Sequence, residues 1–209
     1  YSQSYKIGKP DEPVKVIGKC SAEKHGTKVT FHPDPTIFEE TVYDYDTLKQ
    51  RLRETAFLTK GLRIVLSDAR VDPVHTHEFH YAGGIKEFVT YLNKSKEALY
   101  PEVIYCEGTR DGVYVEVAMQ HNDSYNDATY SFVNNIITPE GGTHLAGFRN
   151  ALTKTFNTYA RANKILKDTE PALTGDDIRE GLTAIISIKI EEPQFEGQTK
   201  QKLGNSEAR

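Results

Sequence analysis

Three consecutive side chains near the end of the sequence carry different chemistry. Gln198, Thr199 and Lys200 supply an amide, a hydroxyl and an ammonium. Lys200 is a compact charge on a flexible stem, suited to reaching a terminal phosphate. Gln198 donates and accepts, so it can orient a water or hold a phosphoryl oxygen. The same residue types in a polar loop also read as a solvated turn. A second candidate is a one-sided row of cations, Arg149, Lys154, Arg161, Lys164 and Lys167, with no acid between Thr143 and Lys167. In a chain of net charge −4 such a face either contacts a phosphate backbone or is simply solvated. His75, His77 and His80 match no zinc spacing and have no cysteine nearby, so a solvated loop is the better reading of 68–77. Asp176, Asp177 and Glu180 read as dipole partners in the first turn of a helix rather than as a metal cluster.

The elements that position these groups follow from periodicity. The apolar run 182–190 reads as a strand, Pro193 ends it, and Gly197 allows the tight turn that presents 198–200. A long helix is expected from 143 to about 167, with Leu145, Phe148, Leu152, Phe156 and Tyr159 as its buried stripe. A short helix over 173–182 has Thr174 as N-cap and Asp177 in a capping-box position. Earlier in the chain, 13–18 and 26–31 alternate as two strands of a hairpin. A helix is expected over 46–58, capped by Asp46, then strands at 62–67 and 79–81 and a helix over 85–94. Asp111-Gly112 between alternating runs marks a hairpin of 103–107 with 113–120. A strand over 130–136 contains Asn134-Asn135, which are out of place inside a strand and point to an edge or a functional surface. Gly83-Gly84 is the expected boundary between a first part, 1–82, and a second, 83–209.

Bulk properties bound the rest. The 209 residues are 37% hydrophobic and 27% charged, enough for a real core. Cys20 and Cys106 fit no metal or redox spacing and are expected to be free thiols of a cytoplasmic protein. No apolar run is long enough for a membrane span. The sequence starts without methionine and stops in a charged segment, and it reads as a piece of a longer protein.

The motifs carry a resemblance. The sequence holds NN-I-x-T-x-EGGTH-x-x-GF at 134–148, GDD-x-REGL at 175–182 and QFEGQTK at 194–200. In this order and spacing they resemble the ATPase region of the DNA gyrase B family of bacterial type II DNA topoisomerases. The resemblance runs end to end and implies an α+β fold. It implies the C-terminal portion of a GHKL ATP-binding sheet in 1–82. For 83–209 it implies a transducer domain like ribosomal S5 domain 2, with a left-handed βαβ unit against the usual right-handed preference.

It also implies roles. Gln198 and Lys200 are then the catalytic groups that touch the γ-phosphate of ATP, with Thr199 beside them. Thr27 and Val29 help form the adenine pocket, and Arg149 lines a cavity that holds DNA. ATP and Mg²⁺ are the implied cofactors, with the catalytic Glu, the Mg²⁺-holding Asn and the glycine-rich lid upstream of Tyr1, so that no metal ligand lies in this chain. Duplex DNA, the gyrase A protein and a second copy of the parent are the implied partners. The parent is implied to be an ATP-hydrolysing topoisomerase that relays nucleotide binding to DNA-gate movement during supercoiling. Lacking that Glu and Asn, the chain alone is expected to be inactive. The alternatives are the corresponding ATPase protein of topoisomerase IV, an inert relay or DNA-binding module, and an RNA-binding domain of S5-like fold.

Overall fold

Backbone groups need partners, and two stretches of this chain differ in whether they find them. The computed structural model describes residues 1–209 and divides them into two units, Tyr1–Asp44 and Tyr45–Arg209. In the first, β1 (Tyr5–Lys6) and β2 (Lys9–Pro10) pair across a turn at Ile7 and Gly8, and Ser2 exchanges backbone bonds with Lys15 at 2.8 and 2.9 Å. The rest of this unit is irregular. The expected hairpin of 13–18 with 26–31 does not form, and Val14, Val16, Ile17, Val29 and Phe31 are exposed. Alternation specifies a strand only where a neighbour takes the backbone groups and a surface covers the apolar face. Residues 26–31 have neither within this unit.

In the second unit α1 (Tyr45–Leu58) buries Ala56, Phe57 and Leu58 at its C-terminal end. Next, β3 (Arg63–Asp68) and β4 (His75–His80) form an antiparallel hairpin, so part of the polar loop expected over 68–77 is strand. His75, His77 and Phe79 share one face of β4. His75 stacks on Tyr45 at 4.4 Å and His77 leans on Phe79 at 4.5 Å, which is a packing role that polarity alone conceals. α2 (Ile85–Leu92) follows Gly83-Gly84, which lie inside this unit. Its Phe88 stacks on Phe57 of α1 at 4.6 Å.

The main sheet is built from β5 (Ile104–Arg110), β6 (Val113–His121), β7 (Ala128–Val133), β8 (Ile136–Ile137) and β9 (Leu182–Lys189), in the order β5-β6-β9-β7-β8. Asp111 and Gly112, both at positive φ, turn β5 into β6. Asn134 and Asn135 do the same between β7 and β8, at φ 49 and 66, so they form a tight turn rather than a strand interior. Asparagine tolerates that region, and Asn134 also clasps both backbone groups of Ile190, at 2.8 and 3.0 Å. β9 runs antiparallel to β6 and parallel to β7, and the parallel connection contains α3 (Thr143–Ala162) and α4 (Gly175–Arg179).

The fold is therefore α+β with a mixed sheet covered on both faces. Ala184, Ile186 and Ile188 of β9 pack with Leu152, Ile178 and Leu203, while Ile185 packs on the other face with Phe57, Phe88 and Phe132. A strand buried on both faces reads as a continuous apolar run, as 182–190 does. α3 ends at Ala162, short of its expected limit near 167. Lys164 takes the left-handed conformation at φ 57, with bonds from its N–H to Arg161 O at 3.0 Å and from Ile165 N–H to Ala160 O at 2.8 Å. That Schellman-like closure stops the helix whatever the apolar spacing beyond it. The capping box of Thr174 and Asp177 forms as expected. No helix is long and apolar enough to cross a membrane.

Candidate functional site

Beyond β9, residues 194–196 and 202–204 pair as a narrow ribbon. Gly204 N–H donates to Gln194 O at 2.8 Å and Glu196 N–H to Lys202 O at 3.0 Å, and Phe195 lies opposite Leu203. Asn205, buried, closes the base. Its Oδ1 accepts from Gln194 N–H at 2.6 Å and its Nδ2 donates to Glu192 O at 3.1 Å. The tip of the ribbon is 197–201, and there Gln198, Thr199 and Lys200 are all exposed. Lys200 N–H closes the turn onto Gly197 O at 3.0 Å, and Lys200 itself sits at φ 58. A non-glycine residue in that region costs on the order of 1 kcal/mol. No side-chain hydrogen bond or ion pair holds Gln198 or Lys200, so both heads are free to meet a ligand. A free ammonium beside a free amide fits a phosphate.

The ribbon is clasped on its other edge by the start of α3. Leu203 N–H donates to Gly141 O at 3.0 Å, Thr143 N–H to Leu203 O at 3.1 Å and Glu140 N–H to Gln201 O at 3.1 Å. A Cβ on Gly142 would stand 2.3 Å from Leu203 O, and Gly142 has φ 134, so only glycine permits this approach. His144 lies in the same turn, buried, with Nε2 3.3 Å from the Thr138 hydroxyl and Nδ1 without a partner. Burial pulls its pKa down to about 4, so the imidazole is neutral. The sequence motif at 141–144 thus has a physical content that its spacing alone did not show: Gly142 admits the ribbon, Gly141 turns at φ 69 against the Leu145 side chain, and His144 is buried in the same turn.

Arg149, two turns into α3, is half-buried and paired to Asp127 Oδ2 at 3.3 Å. The same oxygen accepts from Arg179 Nε at 3.1 Å. Arg149, Arg179, Lys202 and Arg209 line a cavity of 660 Å³ beside the ribbon. Of the other cations read as one face of a helix, Arg161 donates to Lys167 O and Glu170 O at 2.8 and 3.0 Å, and Lys164 and Lys167 lie beyond the helix end. Sequence reasoning does not single out Asp127, Arg179 or Lys202. The one signal for Arg179 is its place in the GDD-x-REGL run.

Thr27 and Val29 belong to the first unit, outside any regular element and exposed. Val29 lines an open hollow of 1710 Å³ with Phe31, Ile37 and Phe38. The five candidate positions around ATP, Thr199 among them, therefore fall in two units. Gln198 and Lys200 share one loop, and Thr27 and Val29 share one segment of the first unit.

Comparison with known proteins agrees with these motifs. The family model described as DNA gyrase B matches residues 84–209. The chain is 56% identical over 210 residues to the DNA gyrase B protein of Clostridium acetobutylicum, covering 100% of this chain and 32% of that protein. It is 51% identical to the DNA gyrase B protein of Enterococcus faecalis, again covering 100% of this chain and 32% of the relative. Among solved structures, the 43K ATPase domain of Thermus thermophilus gyrase B in complex with an aminocoumarin matches with a TM-score of 0.84 and 38% identity. That match covers 99% of this chain and 55% of the other. The topoisomerase IV ATP-binding domain of Francisella tularensis matches with a TM-score of 0.79 and 26% identity, covering 99% and 55%. The chain spans about a third of the length of these curated relatives. It belongs to the DNA gyrase B family.

Proposed function

We propose that this chain is the part of an ATP-driven type II topoisomerase that senses the nucleotide's terminal phosphate and passes the signal toward DNA. The observation that carries the reading is the Gln198–Lys200 tip: exposed, without side-chain partners, strained at Lys200, yet anchored through residues 201–204, which carry backbone bonds on both edges. ATP, with Mg²⁺ held by residues outside this chain, supplies a γ-phosphoryl group. Lys200 contacts that group as a point charge and Gln198 orients an oxygen of it or a water. Thr199 lies beside them, and Thr27 and Val29 contribute to the adenine side. A contact made with ATP and lost after hydrolysis biases two arrangements of the protein by its differential energy. Arg149 faces DNA, and the Leu203–Gly142 clasp ties the sensing loop to the helix that carries it.

On this reading 1–82 is the end of a GHKL domain, and 83–209 is a transducer of S5 domain 2-like fold with a left-handed crossover. The parent works in the cytoplasm as a dimer with the gyrase A protein and duplex DNA. The chain alone hydrolyses no ATP. Lys200→Ala in the parent is expected to abolish ATP turnover while leaving the unfolding transition in place, and a variant with unaltered turnover would sink the assignment. The higher identity to gyrase B than to the topoisomerase IV structure favours gyrase within the family. Calorimetry with a non-hydrolysable ATP analogue separates the sensing role from autonomous binding. Binding is expected only when the upstream segment is supplied.

A further inference from the structure

The cavity at the start of α3 has features that the loop above does not use. Its cations are Arg149, Arg179, Lys202 and Arg209, set against Glu140 and Glu196. Glu196 is engaged by Lys202 at 3.0 Å. Asp127 bridges two of the cations with a single oxygen, at 3.3 Å to Arg149 and 3.1 Å to Arg179. Asp127 itself does not line the cavity, but its carboxylate oxygen is shared by two guanidiniums that do, as a phosphate oxygen can be.

The arrangement leaves capacity over. Of the seven buried polar atoms without a partner, two belong to residues of this wall: Arg149 Nε and Thr143 Oγ1. α3 is 20 residues long, starts at a glycine that caps nothing with a side chain, and has no acid in its first turn. Gly142, Thr143, Leu145 and Ala146 of that turn line the cavity, so the positive end of the helix opens into it. Arg179 is held in position by a second carboxylate, its Nη2 donating to Asp176 Oδ1 at 2.6 Å, so that release of Asp127 leaves it aligned. Its side chain is 16% exposed and lies over Gly175, where a Cβ would stand 2.6 Å from Nη1.

We propose that this cavity binds a phosphate oxyanion of the duplex DNA backbone, cradled by Arg149, Arg179, Lys202 and the first turn of α3, with Asp127 as the internal anion that the phosphate displaces. The proposal rests on reading Arg149 as a DNA contact and adds the partners that complete it. Asp127 ties Arg149 to Arg179, which Asp176 also holds, and lowers the affinity for any single small anion, because a competitor must first release it. A duplex, which also meets the surrounding cations, overcomes that competition more readily.

The test uses the 209-residue chain, a fluorescent DNA duplex of about two helical turns followed by anisotropy, and inorganic phosphate followed by amide shifts in NMR. Asp127→Asn removes the competing charge and is expected to tighten duplex binding about 3-fold to 10-fold. Arg179→Gln is expected to weaken it about as much as Arg149→Gln does, each lowering the salt slope by about 1. Arg179→Lys keeps the charge and retains part of the affinity. Phosphate is expected to shift the amides of Thr143, His144 and Leu145, and at lower concentration in Asp127→Asn. If Arg149→Gln weakens duplex binding while Asp127→Asn and Arg179→Gln leave it unchanged, the cradle is overturned and the DNA role of Arg149 stands. If phosphate shifts those amides but no variant alters duplex affinity, the site stands for a free oxyanion and the duplex is overturned as its occupant. If phosphate shifts none of them and Asp127→Asn tightens nothing, the cradle is overturned. Should Arg179 variants fail to fold, the gain expected from Asp127→Asn decides, since misfolding does not produce tighter binding.

Discussion

Residues 26–31 and 182–190 look alike as sequences, both rich in β-branched residues and both bounded by turn formers. In the molecule they are opposites. β9 is the central strand of the sheet, with neighbours on both edges and seven of its eight residues buried. Residues 26–31 pair with nothing, and Val29 is 77% exposed. Local pattern sets what a stretch can become, and available partners decide what it does become. Mutation should separate the two sharply. Ile186→Ala removes buried methylenes between α3 and the sheet and is expected to cost about 3–4 kcal/mol in denaturant unfolding. Val29→Ala is expected to stay within about 0.5 kcal/mol in the same assay. Equal effects would mean that the first unit packs as tightly as the second.

Acid provides the next largest contrast, because it acts on one buried histidine of the packed unit. His144 titrates near 4 in the fold against 6.5 when unfolded. Between those values the unfolded chain binds the extra proton, so stability falls as pH drops. The loss begins near pH 6.5, is complete near pH 4, and amounts to about 3 kcal/mol. His144→Gln should flatten that part of the profile, as measured by urea midpoints across the window. An unchanged slope would show that the imidazole accepts a proton in place.

These contrasts also explain what the sequence made legible. The helices at Tyr45–Leu58 and Ile85–Leu92, the β5–β6 hairpin, the central strand and the Thr174 box are readable because their determinants are local: periodicity, Asp111-Gly112, a cap residue three before its partner. Where sequence and structure part, the causes are non-local. Asn134-Asn135 reads as an edge or functional surface of one strand over 130–136, not as a turn, because the two-residue β8 after it is too short to announce itself. His75 and His77 read as loop because their value lies in stacking on Tyr45 and Phe79. At the candidate site, Gln198 and Lys200 stand out by residue type and motif. Asp127, 22 residues before Arg149 and 52 before Arg179, joins those arginines only in three dimensions.

A smaller effect tests whether such local signals carry energy in the packed unit. Thr174 accepts from Asp177 N–H at 3.2 Å, and Asp177 accepts in turn from Thr174 N–H at 2.8 Å. Thr174→Ala should cost about 1 kcal/mol in thermal or denaturant unfolding, since α4 leads directly into β9. In the first unit Asp34 makes an analogous bond to Thr36 N–H at 2.9 Å, but no helix or strand of that unit follows it. Asp34→Ala is expected to leave the same transition unmoved.

The smallest expected change belongs to the one place where the packed unit resembles the first. The tip at 197–201 is as exposed as 26–31, yet it is held by the segment 201–204, which is bonded on one edge to Gln194 and Glu196 and on the other to Glu140, Gly141 and Thr143. Lys200 therefore keeps a positive φ that an unanchored chain would relax. Lys200→Gly removes the steric penalty of that conformation, on the order of 1–2 kcal/mol, while adding backbone entropy to the unfolded chain worth about 0.5–1 kcal/mol. The net expectation is a gain of roughly 0.5 kcal/mol in unfolding free energy, the reverse in sign of the losses at Ile186, His144 and Thr174. Lys200→Ala, which keeps the penalty and loses only a solvated side chain, should be neutral. A stabilised Lys200→Gly protein would mean that the strain is not kept for the fold, and its loss of ATP turnover would follow from the missing ammonium as in Lys200→Ala. A destabilised one would mean that the lysine stem packs, and that the tip belongs with the core rather than with the exposed segment it resembles.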